Sequence, residues 1–294
     1  MPGTANANVE AASGRGSRDT SGELAQDERT HVSTVISKDG TPIAFERTGR
    51  GAPLILVDGA LCSRAVGPSR SLAKYLARHF TVFIYDRRGR GESGDTAPYA
   101  VEREIEDIDA LIAEAGSAAF VWGTSSGAAL ALDAAKVLTR IEKLALYEAP
   151  FIVDDSRPTT EDAWVRIREA LAAGERGDAV KVFLKAVGVP AFFSALMPLL
   201  PVWSKLKAAA HTLPYDGAIV QDNQRGKALP AGRWASVRVP TLVMDGGNSP
   251  TWMRNGNRAL ASVLPNARYR TIDRQTHMVN AKVHGPLLAE FFGA

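Results

Sequence analysis

Short apolar runs recur along the chain, separated by longer amphipathic stretches. Residues 54–57, 81–85, 119–122, 144–147 and 241–244 carry almost no polar side chain. Runs of that length, without alternation, suit strands buried on both faces. Residues 32–37 and 42–47 are also β-like, and Lys38-Asp39-Gly40 between them supplies the Asp-Gly of a hairpin. Helical periodicity fills the gaps. In residues 101–115, for example, Ile105, Ile108, Leu111, Ile112 and Ala115 fall on one face. Further helices are expected at 71–79, 128–138, 252–263 and 282–292, with a last strand at 268–272. Strands alternating with helices predict an α/β domain with a mostly parallel central sheet flanked by helices.

The rhythm breaks after Pro150. Residues 162–213 read as helices interrupted by Pro and Gly, and strands return only at Pro240. This predicts a helical cap or lid, residues 151–235, inserted between core segments 31–150 and 236–294. It follows the strand after the helix that begins near residue 128. Ligands enter open α/β sheets at the carboxyl ends of the strands, so a cap there would cover the site. Residues 186–203 carry no charge and approach the length of a membrane span. Pro190, Pro198 and Pro201 interrupt that stretch, which predicts broken apolar helices lining a site and no membrane association. Residues 1–30 are rich in Gly, Ala, Ser and charge, and are expected to be a disordered tail without a secretory signal.

Composition narrows the function classes. Of 294 residues, 45% are apolar and 23% charged, as in ordinary globular proteins. A formal net charge of +3, from 35 basic and 32 acidic residues, is too balanced to imply nucleic-acid binding. The single cysteine, Cys62, allows no internal disulfide, and a cytoplasmic location is expected. No His, Cys and carboxylate cluster has metal-ligand spacing, and no Gly-rich phosphate loop carries its lysine. Neither a metal nor a cofactor is therefore expected. Oligomeric state leaves no signature in the sequence.

The candidate chemistry centres on Gly123-Thr124-Ser125-Ser126-Gly127. It follows a strand-like run and precedes an Ala/Leu-rich helix. Strand, sharp turn and helix turn the Gly-x-Ser-x-Gly pattern into a nucleophile elbow. Ser125 is then expected at the tip of the turn, with the Ser126 N–H aimed at a developing oxyanion.

With Asp58-Gly59-Ala60, Asp86-Arg87-Arg88-Gly89-Arg90-Gly91-Glu92-Ser93, the elbow and Gln275-Thr276-His277 taken together, the chain resembles the α/β-hydrolase fold family in its capped, single-domain form. The resemblance spans residues 32–292. It implies Ser125 as nucleophile, His277 as its base, and Ser126 and Ala60 as backbone oxyanion donors. The first loop departs from the family pattern, since Asp58 stands where many members carry His. An acid there would oppose an oxyanion unless paired, and Arg64, Arg87 or Arg88 are candidate partners. Cys62 reads as a packed thiol.

The usual position of the triad acid also departs. The loop Asp245-Gly246-Gly247-Asn248-Ser249 has Asn or Ser where the family places Asp. The resemblance leaves two carboxylates: Glu148, at the end of the strand after the elbow helix, and Asp245 as the alternative. Cap residues Phe192, Phe193, Met197 and Trp203 are expected to bind the substrate. An uncharged hydrophobic ester, lactone or thioester would suit such a pocket. A cofactor-free lyase or cyclase using His277 as base is the competing reading, and a ligand-binding protein without turnover is a third.

Overall fold

The computed structural model describes residues 32–293. The tail read from residues 1–30 lies outside them. The chain runs β1 (Ser33–Ile36), β2 (Pro42–Thr48), β3 (Pro53–Val57), α1 (Ser69–Leu76), β4 (Thr81–Tyr85), α2 (Val101–Glu114), β5 (Ala119–Thr124), α3 (Ser126–Val137) and β6 (Ile141–Tyr147). Five helices follow: α4 (Glu161–Ala172), α5 (Arg176–Ala186), α6 (Ala191–Leu196), α7 (Val202–Ala209) and α8 (Leu213–Val220). The core resumes with β7 (Thr241–Gly246), α9 (Thr251–Val263), β8 (Ala267–Ile272) and α10 (Ala281–Phe292).

The strands form one sheet in the order β1-β2-β4-β3-β5-β6-β7-β8. β1 and β2 pair antiparallel, as do β2 and β4, and every later neighbour is parallel. This is an α/β-hydrolase fold with a mostly parallel sheet. The order reverses between β3 and β5, because β4 lies on one side of β3 and the later strands on the other. Val57 pairs with Gly123 there, so the loops leaving β3 and β5 emerge side by side. That is the crevice where such sheets hold ligands.

Side-chain alternation divides the core between two faces. Leu56, Trp122, Tyr147 and Met244 face α1 and α10, with Leu72, Leu76 and Leu288. Ile55, Val121, Leu146 and Val243 face the other way, with Ile108, Leu130 and Leu260. The helical insertion joins this second cluster through Trp164, Ile167, Val180, Leu184 and Trp203.

Each proline of the apolar stretch sits where a helix tolerates it. Pro190 and Pro201 precede the first turns of α6 and α7, and Pro198 opens a 3-10 turn. Among the described residues, no helix is long and apolar enough to cross a membrane.

Candidate active site

Ser125 leaves β5 with φ 56° and ψ −130°, a backbone conformation few non-glycine residues adopt. Such strain costs roughly 1–3 kcal/mol and must be held by its surroundings. Ser125 N donates to Tyr147 O at 2.9 Å, and its carbonyl accepts from Ala128 N at 2.9 Å. The flanking glycines make the close packing possible. A Cβ on Gly123 would lie 2.4 Å from Gly127 O, and one on Gly127 would lie 2.3 Å from Val57 O. Gly59 brings the β3 loop against the elbow in the same way, since its Cβ would lie 2.9 Å from Ser125 Cβ.

Glu148 leaves β6 one strand along, also with positive φ, at 51°. It is fully buried. Its Oε1 accepts from Gly246 N at 2.7 Å, and its Oε2 lies 2.7 Å from His277 Nδ1. The His277 loop is pinned by Tyr147, whose hydroxyl donates to Thr276 O at 2.5 Å. Gly246 admits the loop, because a Cβ there would meet Gln275 O at 2.4 Å. The structure thus brings Glu148 to the imidazole. Asp245 is elsewhere. It is still within β7, where alternation turns its side chain towards α9, and it accepts from the Tyr269 hydroxyl. Burial raises its carboxyl above the usual range, and the Tyr269 bond offsets this only in part.

Among the described residues, Ser126 N and Ala60 N have no hydrogen-bond partner, which leaves both donors open. Ala60, Ser125, Ser126 and His277 line one cavity. Its other walls are mostly apolar: Pro150 and Ile152 after β6, Trp164 and Ile167 of α4, Phe183 of α5, and Trp252 and Met253 of α9.

The expected substrate-binding set needs correcting. Phe192, Phe193, Met197 and Trp203 do not line this cavity. Phe192 and Phe193 stand 69% and 60% exposed on the outer face of α6, and Trp203 packs into the core of the insertion. Met197 leans on that core from the surface. Of the apolar stretch 186–203, only Ala186 and Val187 reach the cavity. The roof is built by α4, α5 and α8, whose apolar faces turn inward, while α6 lies outside.

Asp216 of α8 escaped the sequence reading. It is fully buried and lines the cavity. Its Oδ1 accepts from Ser126 Oγ at 2.7 Å and Arg87 Nη1 at 2.8 Å, and its Oδ2 from Arg90 Nη2 at 2.7 Å. Arg87 also donates to Asp58 O at 3.3 Å and grips Glu104, while Arg90 donates to Gly59 O at 2.7 Å. Burial pushes the Asp216 carboxyl up, but Arg90 and Arg87 outweigh it and hold it below the usual carboxylate range. One buried network therefore ties the helical roof to the loops that leave β3 and β5. The sequence signal was a lone charge in the apolar stretch Leu213-Pro214-Tyr215-Asp216-Gly217-Ala218-Ile219.

None of the arginines proposed for Asp58 pairs with its carboxylate. Arg64 binds Glu46, Asp86 and Glu92, Arg88 binds Asp107 and Asp39, and Arg87 reaches only the Asp58 carbonyl. Ser69 Oγ donates to Asp58 Oδ1 at 2.7 Å instead. Burial, against that bond and the two nearby arginines, raises the carboxyl to about 7. Folded protein thus keeps a proton that the unfolded chain, near 3.8, has released. The resulting cost is absent below pH 3.8, grows as pH rises and is complete above 7, at no more than about 4 kcal/mol. Asp58→Asn removes it, so the melting temperature of the variant relative to wild type should climb from pH 4 to pH 7 and then level off. A difference independent of pH would contradict the assignment. Cys62 is a packed thiol, pushed up to about 12 by burial.

Two more histidines are accounted for. His284 is buried edge-on against Tyr147, and His211 lies near Asp95 in the roof. Among the described residues, no group of three His, Cys, Asp or Glu could hold a metal ion.

Residues 59–285 match the model of the alpha/beta hydrolase family, and the chain belongs to that family. An alpha/beta hydrolase from Sphaerobacter thermophilus DSM 20745 is 54% identical, with TM-score 0.82, over 88% of this chain and all of that one. A hydrolase from Pseudomonas aeruginosa PA01 shares the fold at 23% identity and TM-score 0.71, over 90% of this chain and 99% of its own. The uncharacterized hydrolase YraK of Bacillus subtilis (strain 168) is 34% identical over 98 residues, which are 32% of this chain and 35% of that protein. Relatives described as hydrolases support an enzyme.

Proposed function

We propose that this protein is a serine hydrolase that cleaves a small ester, lactone or thioester with an apolar body. Ser125 attacks the carbonyl while His277 takes its proton, and Glu148 holds the imidazole in the required tautomer. Ser126 N and Ala60 N receive the oxyanion. The alcohol or thiol leaves with the proton from His277, and a water activated by the same ring releases the acid. The observation that carries this reading is the 2.7 Å contact between Glu148 Oε2 and the ring of His277, which lines one cavity with Ser125.

The competing reading, a cofactor-free lyase or cyclase with His277 as base, is favoured by Asp58 in the oxyanion loop. A fluorophosphonate probe and a panel of chromogenic esters separate the two. Labelling of Ser125 with steady release of the alcohol is the expected result. Labelling without ester turnover would favour the lyase or cyclase, and no labelling would leave a binding protein.

A further inference from the structure

The arginines buried around the site are matched to carboxylates. Arg64, Arg87, Arg88 and Arg90 each have one or more at 3.0 Å or closer. Arg157 breaks this pattern. It is half-buried, in the loop between β6 and α4, and among the described residues no carboxylate pairs with it. Its guanidinium sits over the Trp252 ring, 4.1 Å from the centroid, and touches the carbonyl of Ala186. Both partners are neutral. Burial without a counter-charge lowers its basicity.

Its position gives that cation a use. Arg157 lines the catalytic cavity and also a wide outer groove between the start of α4 and the end of α5. It therefore stands where the two meet. The groove is basic as well. Among the described residues, Arg166, Lys181 and Lys185 line it against the single acid Asp162, and of the three only Lys181 has an acidic partner, Asp178. The rest of the catalytic cavity is mostly apolar, with Thr160, Gln224 and Asp216 among its few other polar residues.

We propose that Arg157 is the anchor of a carboxylate subsite, so that the substrate is an acyl compound with an apolar middle and a free carboxylate at the end away from the reacting carbonyl. A guanidinium fork can bind a carboxylate through two parallel hydrogen bonds, and Trp252 holds the fork's plane. The apolar walls take the intervening chain, and the groove's positive charge draws the anion in. This rests on the serine-hydrolase reading, and it replaces the uncharged substrate expected from the sequence with a monoanionic one.

Two measurements test it. The first compares kcat/KM for the para-nitrophenyl monoester of adipic acid with that for para-nitrophenyl hexanoate, which lacks the carboxylate. Wild type is expected to prefer the monoester. Arg157→Met should lower the ratio about tenfold or more, and Arg157→Lys should fall between, keeping charge but losing the fork. An unchanged ratio in Arg157→Met would overturn the subsite. The second measures binding of monomethyl adipate and dimethyl adipate to Ser125→Ala, with and without Arg157→Met. If no ester turns over but the monoacid binds more tightly only when Arg157 is present, the hydrolase reading fails and the subsite stands. Equal binding of the two probes to Ser125→Ala would overturn the subsite independently of turnover.

Discussion

Glu148→Gln should lower kcat by about a thousandfold or more, while Asp245→Asn should change it by less than about threefold. The size of the first effect follows from both oxygens of Glu148 being committed. Oε1 accepts from Gly246 N and Oε2 faces His277 Nδ1. A glutamine would keep its oxygen on Gly246 N, which can only donate. Its amide would then point N–H groups at Nδ1 and force that nitrogen to accept. The ring proton would move to Nε2, the nitrogen that must take the proton of Ser125. Geometry would survive and the tautomer would be wrong. Asp245→Asn leaves an oxygen for the Tyr269 hydroxyl and touches neither His277 nor Glu148. Single-turnover and steady-state kinetics on a chromogenic ester would check both. Comparable, mild losses in the two variants would reassign the acid.

Asp216→Ala is expected to be the most damaging substitution for stability. It removes the carboxylate shared by Arg87 and Arg90 and leaves two buried guanidinium groups against Glu104 alone. Breaking a buried pair in this way costs about 3–5 kcal/mol, because the remaining charge has no counterpart. In a chain of this size that lowers the melting temperature by about 6–10 °C. Turnover should fall in the protein that remains folded. Arg87 and Arg90 hold the carbonyls of Asp58 and Gly59, and Ser126 loses the acceptor of its hydroxyl, so both oxyanion loops are loosened. The loss should appear in kcat more than in KM, since those donors act on charge that develops in the transition state. Scanning calorimetry with matched kinetics measures both effects. A melting temperature within about 2 °C of wild type would show that water or rearrangement replaces Asp216.

What could be read from the sequence was whatever depends on local periodicity. Apolar runs of four or five residues located the buried strands, and the Gly-x-Ser-x-Gly turn located the elbow. Glu148 entered through the family resemblance, which allows the acid at the end of the strand after the elbow helix, and the apolar run 144–147 located that strand end. What could not be read depends on which face of a helix points inward. In α6 and the turn after it almost every residue is apolar, so periodicity offers no preferred face. Phe192 and Phe193 were expected in the pocket for their size and stand outside it. Long-range charge pairing was equally hidden. Asp216 and Arg90 lie 126 positions apart, and no spacing rule joins them. Arg64, Arg87 and Arg88 suggested partners for Asp58. Arg87 and Arg88 instead reach carboxylates on α2, on α8 and in the β1–β2 hairpin, and Arg64 reaches Glu46, Asp86 and Glu92. Arg157 is hidden for a related reason, since an arginine matters to a pocket only once its missing counter-charge is visible.

In the proposed hydrolase, one imidazole, brought from the far end of the chain, activates the hydroxyl held at the elbow. The rate at which a fluorophosphonate modifies Ser125 in wild type and in His277→Ala measures this directly, with mass spectrometry locating the adduct. Labelling is expected to be confined to Ser125 and slowed about a thousandfold or more without the imidazole. Equally rapid labelling in His277→Ala, or an adduct on any residue other than Ser125, would contradict this activation.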